Sequence, residues 1–122
     1  MSESKKEIAP LDYVSACQIQ AIGIESNYTI PDSSFSASST SGSDTPSKGR
    51  LNGQGAWSPS KDNDAKDYLE IDLQYEFLIC AVATQGKSTA DHWTTKYKLL
   101  TSLNNRNWVI YQESNEDKVC LI

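Results

Sequence analysis

The sequence predicts an all-β domain, and three observations lead there. Apolar residues alternate with period two in residues 67–73 (DYLEIDL) and 95–99 (TKYKL), the pattern of strands with one wet face. No window carries an amphipathic helix of useful length. Residues 26–55 are dominated by Ser, Thr, Gly, Asn, Asp and Pro, whose side chains compete for backbone hydrogen bonds and so favour turns. A sandwich or barrel with long loops accommodates all three.

The elements follow in chain order. Residues 1–16 read as a polar tail. The first ten, MSESKKEIAP, are charged and hold no apolar segment, so they are not a secretory signal peptide. The chain is then either cytosolic or a piece cut from a longer secreted precursor. Within the turn-rich stretch, Ile30, Phe35, Ala37 and Leu51 are spaced to anchor short strands. A strand is expected over 68–73, with Leu69, Ile71 and Leu73 on the inner face and Tyr68, Glu70 and Asp72 outside. Residues 77–84 (FLICAVAT) are apolar on both faces and predict a strand buried on both sides. A strand over 95–102 places Tyr97 and Leu99 inward and Lys96 and Lys98 outward. Residues 102–107 (SLNNRN) are a turn signal, so a strand over 108–112 completes a hairpin.

With 122 residues the chain is long enough for one core and too short for two. Its 38% hydrophobic and 22% charged residues exclude collagen, coiled coil and wholesale disorder. The net charge of −5, with no basic stripe, argues against a nucleic-acid partner. No apolar run reaches the roughly 18 residues of a membrane span.

Candidate chemistry is sparse. A catalytic reading of His92, the only histidine, would make it a general base oriented by Asp91. Adjacent residues point apart in extended chain and no nucleophile motif accompanies them, so the loop reading is favoured. Glu70 and Asp72 share a strand face, which is the usual arrangement of solvated acids rather than of a glycosidase pair. No cofactor is expected. Calcium is the one metal weighed, because Asp62, Asn63, Asp64 and Asp67 are oxygen-rich, but their spacing is not that of an EF-hand. Three cysteines, Cys17, Cys80 and Cys120, lack CxxC spacing, so a zinc site is not expected. Cys80, inside FLICAVA, reads as a small buried apolar residue. Cys17 and Cys120 could bridge, and an odd count leaves one thiol over. Asn27-Tyr28-Thr29 is an N-glycosylation sequon in a turn-rich stretch, making Asn27 an acceptor candidate.

Three stretches in series resemble the coagulation factor V/VIII type C, or discoidin, domain. The first runs through Cys17, Ala21-Ile-Gly23, Ile30-Pro-Asp32, Ala37-Ser-Ser39 and Arg50-Leu-Asn52. The second is Gly55-Ala-Trp57 followed by residues 68–73. The third is Val82-Ala-Thr-Gln-Gly86, then Trp93, Tyr97-Lys-Leu99, Ser102 and Trp108. The resemblance covers some three quarters of the chain and makes residues 17–122 a partial discoidin domain. It implies a jelly-roll β-sandwich of the galactose-binding-like type, non-enzymatic, with a ligand site on loops at one end. In animal members the first cysteine pairs near the far carboxyl end of the domain. The resemblance fades after Glu113, so the expectation is a sandwich lacking its last strands, with the partner of Cys17 outside this chain.

The resemblance gathers three loops, residues 40–49, 58–67 and 87–92. Membrane-inserting relatives carry apolar tips. These loops offer only Ala65 and Ala90, so bilayer insertion is not expected. The candidate ligand-binding residues are Ser41, Asp44, Thr45, Lys48, Lys61, Asp62, Lys87, Asp91 and His92, a mixture of donors and acceptors suited to sugar hydroxyls or a polar protein surface. Trp57 and Trp93 are read as packing residues at the loop bases. The leading functional expectation is a cell-adhesion or recognition module for a glycan or a cell-surface or matrix protein. It would be extracellular as part of a longer secreted protein, or cytoplasmic if Met1 is the true start. The alternatives are a carbohydrate-binding accessory domain of a larger enzyme and a free-standing cytosolic lectin of discoidin type.

Overall fold

The computed structural model describes residues 21–61, 64–113, 116–117 and 119–121. The expected tail 1–16, Cys17 and Asp62 lie outside the described residues. Within them there is no α-helix; short strands, turns and two 3-10 turns carry the chain. No described helix is long and apolar enough to cross a membrane.

The strands are β1 (Phe35–Ala37), β2 (Leu69–Ile71), β3 (Lys96–Lys98), β4 (Leu100–Thr101), β5 (Val109–Ile110), β6 (Gln112–Glu113), β7 (Glu116–Asp117) and β8 (Val119–Leu121). They pair antiparallel as β1–β2, β3–β8, β4–β5 and β6–β7. Phe35 lies opposite Ile71 and Ala37 opposite Leu69. Lys96 lies opposite Leu121, and Leu100 opposite Ile110. The β4–β5 ladder is prolonged by the Tyr111 N–H donating to the Leu99 carbonyl at 2.8 Å.

The best-packed part lies between residues 21 and 74. Ile30 and Phe35 are the buried apolar side chains among the described residues, at 2% and 7% exposure. Ile30 closes a turn, its N–H donating to the Ser26 carbonyl at 3.0 Å. A 3-10 turn at Asp32–Ser34 then delivers Phe35 to β1. Buried Ser34 stitches this turn to the end of β2. Its carbonyl accepts from the Asp72 N–H at 2.8 Å, and its hydroxyl accepts from the Gln74 amide at 2.8 Å. The second 3-10 turn, Pro46–Gly49, begins with proline, whose fixed φ and missing N–H suit a first helical position. At its end the Gly49 backbone lies so near Leu69 that a Cβ would sit 3.0 Å from Leu69 Cδ2.

Arg50, next in the chain, clamps the region. Its Nε and Nη2 donate to Asp32 Oδ1 at 3.2 and 2.7 Å, and Nη1 donates to the Ile24 carbonyl at 2.7 Å. The guanidinium lies 4.5 Å from the Phe35 ring centre, a cation–π distance.

The 102–107 turn forms as its residue types dictate. Ser102 Oγ accepts from the Asn104 and Asn105 N–H groups at 3.2 and 2.9 Å. Asn104 Oδ1 accepts from the Arg106 and Asn107 N–H groups, each at 2.9 Å. Asn105 takes the left-handed conformation, φ 59°, which Asn tolerates best after Gly.

Several expectations need correction. The strand foreseen over 68–73 is ordered as β2 over Leu69–Ile71, and Leu69, Glu70 and Ile71 are all half-buried rather than alternating. The 95–102 segment is two strands, because its first half pairs with β8 and its second with β5. Residues 77–84 form no strand. Phe77, Leu78 and Ile79 are half-buried, while residues 80–84 are exposed. An apolar run becomes a strand only where a partner supplies the ladder, and none of the described strands pairs with it. Cys80 is likewise exposed, not buried, and its sulfur is disulfide-bonded.

Candidate functional site

The three loops named from the sequence meet around one ion pair. Lys87 Nζ donates to Asp44 Oδ2 at 2.8 Å, and both side chains are about four-fifths buried, at 20% and 19% exposure. Ser58 Oγ donates to the same carboxylate oxygen at 2.7 Å. Backbone bonds lace the first two loops together: the Ser41 N–H donates to the Ser58 carbonyl at 2.8 Å, and the Ser58 N–H to the Asp44 carbonyl at 3.3 Å. Within the first loop, the Asp44 N–H donates to the Ser41 carbonyl at 3.0 Å. The third loop closes on itself through the Lys87 N–H and the His92 carbonyl, at 2.8 Å. Gly86 permits this closure, since a Cβ there would sit 3.1 Å from the His92 oxygen.

Electrostatics follow from the geometry. The hydrogen bond from Lys87, then that from Ser58, hold the Asp44 carboxyl below its ordinary value of 3.8, against the opposing effect of its partial burial. The charges of Lys87 and Lys48 act in the same direction. Accepting hydrogen bonds stabilises the ionised form.

A second carboxylate braces the loop bases. Asp67 Oδ1 accepts from the hydroxyls of Ser38 at 2.6 Å and Ser39 at 2.7 Å, and these bonds lower its pKa. Ser39 Oγ also accepts from the Ser60 N–H at 3.0 Å. The Ser39 carbonyl accepts from the Trp57 indole at 2.9 Å, so Trp57 packs at the loop base as expected.

The nine candidate binding residues separate on this geometry. Asp44 and Lys87 are joined, and Ser41 is tied to their cluster through its backbone. Thr45 precedes the second 3-10 turn and Lys48 lies within it; both are exposed, as are Lys61, Asp91 and His92. Asp62 lies outside the described residues, as does the proposed Cys17 pairing. The oxygen-rich stretch weighed for calcium is only partly described: Asp64 Oδ1 accepts from the Lys66 N–H at 2.9 Å, and Asp67 is engaged by the serines. No cluster of three or more His, Cys, Asp or Glu suited to a metal occurs among the described residues. Asn27 is exposed, beside Tyr28 at 98% exposure.

Two residues matter more than their sequence signals suggested. Ser58 bridges two loops, yet one serine in a serine-rich chain carries no distinguishing signal. Trp93 was expected to pack, but it is 60% exposed. It lines a shallow groove of about 360 Å³ with Thr84, Gln85, Gly86 and Thr94.

Comparison with known proteins agrees with this architecture. The family model of the F5/8 type C domain matches residues 34–119. Neuropilin-2 of Rattus norvegicus and of Homo sapiens are each 35% identical to the chain over 105 residues, covering 80% of it. Neuropilin-2 of Mus musculus is 34% identical over the same length. The chain spans 11% of the length of these relatives. With the family model matching most of the chain, and short strands without an α-helix among the described residues in accord, the chain belongs to the F5/8 type C domain family of β-sandwiches.

Proposed function

We propose that this chain is a non-enzymatic recognition module that binds a glycan or a protein through loops at one end of the sandwich. The observation that carries the reading is the Asp44–Lys87–Ser58 cluster, which fixes the three loops against one another. Ser41, Thr45, Lys48, Lys61, Asp91 and His92 are left around it as an exposed polar rim. A rim of mixed charge on a rigid base suits a polar ligand, because little ordering cost attaches to binding. Within the same reading the module acts in adhesion outside the cell as part of a longer protein, needs no calcium, and presents Asn27 for glycosylation. The net charge of −5 disfavours nucleic acid and anionic membrane as partners.

The test is a parallel screen of the purified chain on a glycan array and on a panel of cell-surface and matrix proteins, with and without EDTA. A variant carrying Thr45→Arg, Lys61→Glu and Asp91→Arg alters only exposed side chains and is expected to unfold at the same temperature as the parent. The parent is expected to retain at least one glycan or protein with EDTA present, and the variant to lose it. Retention of every ligand by the variant would move the site away from these loops.

A further inference from the structure

We propose that residues 77–84 form a β-pairing edge for a second copy of this chain, laid antiparallel along the same segment of its partner. The segment, FLICAVAT, holds no proline and no charge and is rich in residues that favour strands. It nevertheless belongs to none of the strand pairs. Apart from Cys80, whose sulfur is disulfide-bonded, its residues have no backbone hydrogen-bond partner among the described residues. Phe77, Leu78 and Ile79 are half-buried and anchor the start of the segment, whereas residues 80–84 are exposed, Val82 by 46%. An apolar run that presents an open row of N–H and C=O groups is a template for another strand.

The charges at the two ends select the occupant. Glu76 immediately precedes the segment, residues 77–86 carry no charge, and Lys87 follows. Two copies laid antiparallel bring the Glu76 end of each towards the Lys87 end of the other. A parallel pair would set Glu76 beside Glu76, and like charges opposite one another destabilise a ladder. Between the ends no register opposes two charges, so the segment is its own complement. Such a pair is isologous and closes on a two-fold axis. Successive N–H groups of an extended chain point to opposite edges, so either Val82 or Ala83 donates towards the partner. The pairing is independent of the loop reading, since no rim residue lies in the segment. It gives the assembled protein two loop faces, which hold a repeating ligand more tightly than one.

The test combines light scattering on gel filtration with hydrogen exchange read by mass spectrometry, on the purified chain from roughly 1 to 500 μM. Free thiols are first capped with iodoacetamide, so that an interchain disulfide does not mimic pairing. A monomer–dimer equilibrium is expected, with exchange over residues 77–84 slowing as the dimer fills. Val82→Pro and Ala83→Pro each remove an N–H that has no partner among the described residues, so neither is expected to lower the unfolding temperature of the monomer. At least one of them is expected to raise the dissociation constant roughly tenfold or more, and Glu76→Lys to raise it by less. A chain that stays monomeric over the whole range, or a dimer that both proline variants preserve, would overturn the proposal. Protection of 77–84 at every dilution would do the same, by showing that the chain covers its own segment. So would protection gained over residues 100–111 instead, which would assign the dimer to the β4–β5 hairpin, or growth beyond the dimer, which would contradict two-fold closure.

Discussion

Replacing Arg50 with Ala is expected to destabilise the chain by about 2–4 kcal/mol, a large share of the roughly 5–15 kcal/mol a domain has. The side chain is only 11% exposed. It donates to Asp32 and to the Ile24 carbonyl and lies over Phe35. Removing it leaves the part-buried Ile24 carbonyl unpaired and uncovers one of the two buried apolar side chains described. The loss exceeds that of an exposed ion pair, which contributes at most about 1 kcal/mol, because most of it comes from burial and the carbonyl bond. Arg50→Lys is expected to fall between, since an ammonium cannot hold Asp32, the carbonyl and the ring at once. Urea denaturation of the three proteins decides the matter. An Arg50→Ala midpoint equal to the parent's would show that the clamp contributes little.

Replacing Lys87 with Met is expected to have the largest effect on binding, weakening any loop ligand by roughly tenfold or more. The Asp44 carboxylate would keep Ser58 but lose its cation, and the third loop would lose its tie to the first. The prediction differs from that of a rim substitution in also lowering the unfolding temperature. Asp44→Asn tests the same pair through pH. The carboxyl is held below 3.8 in the folded chain, so its ionised form adds stability above that value. The contribution fades as pH falls through 3.8 toward the lowered folded value. The parent should therefore be the more stable at neutral pH, and the two proteins should converge in acid. In a double-mutant cycle the effects of the two substitutions should not add. Additive effects, or a gap that persists in acid, would contradict a functional pairing.

Much of this arrangement is legible in the residues, and the rest is hidden for physical reasons. The β class is readable because Leu69, Ile71, Tyr97 and Leu99 repeat at period two, and the 102–107 turn because Ser and Asn bond to their own backbone. The three loops can be named in advance because the motifs flanking them place their bases. Their mutual geometry cannot, since the Asp44–Lys87 bond joins residues 43 apart in sequence. The FLICAVAT segment misleads because hydrophobicity reports a preference for burial, not the presence of a pairing strand. Trp93 misleads for the converse reason: large apolar residues are usually covered, yet this one is 60% exposed.

An exposed apolar surface elsewhere offers the sharpest contrast. Leu103 is 62%, Val109 54% and Trp108 43% exposed around the β4–β5 hairpin. The most direct measurement is an amide chemical-shift map of the 15N-labelled chain saturated with the strongest binder from the array and protein panel. The largest shifts are expected in residues 41–48, at Ser58 and Lys61, and over 84–94, with the hairpin unmoved. Shifts concentrated on residues 100–111, with the loops silent, would contradict a loop-borne binding face.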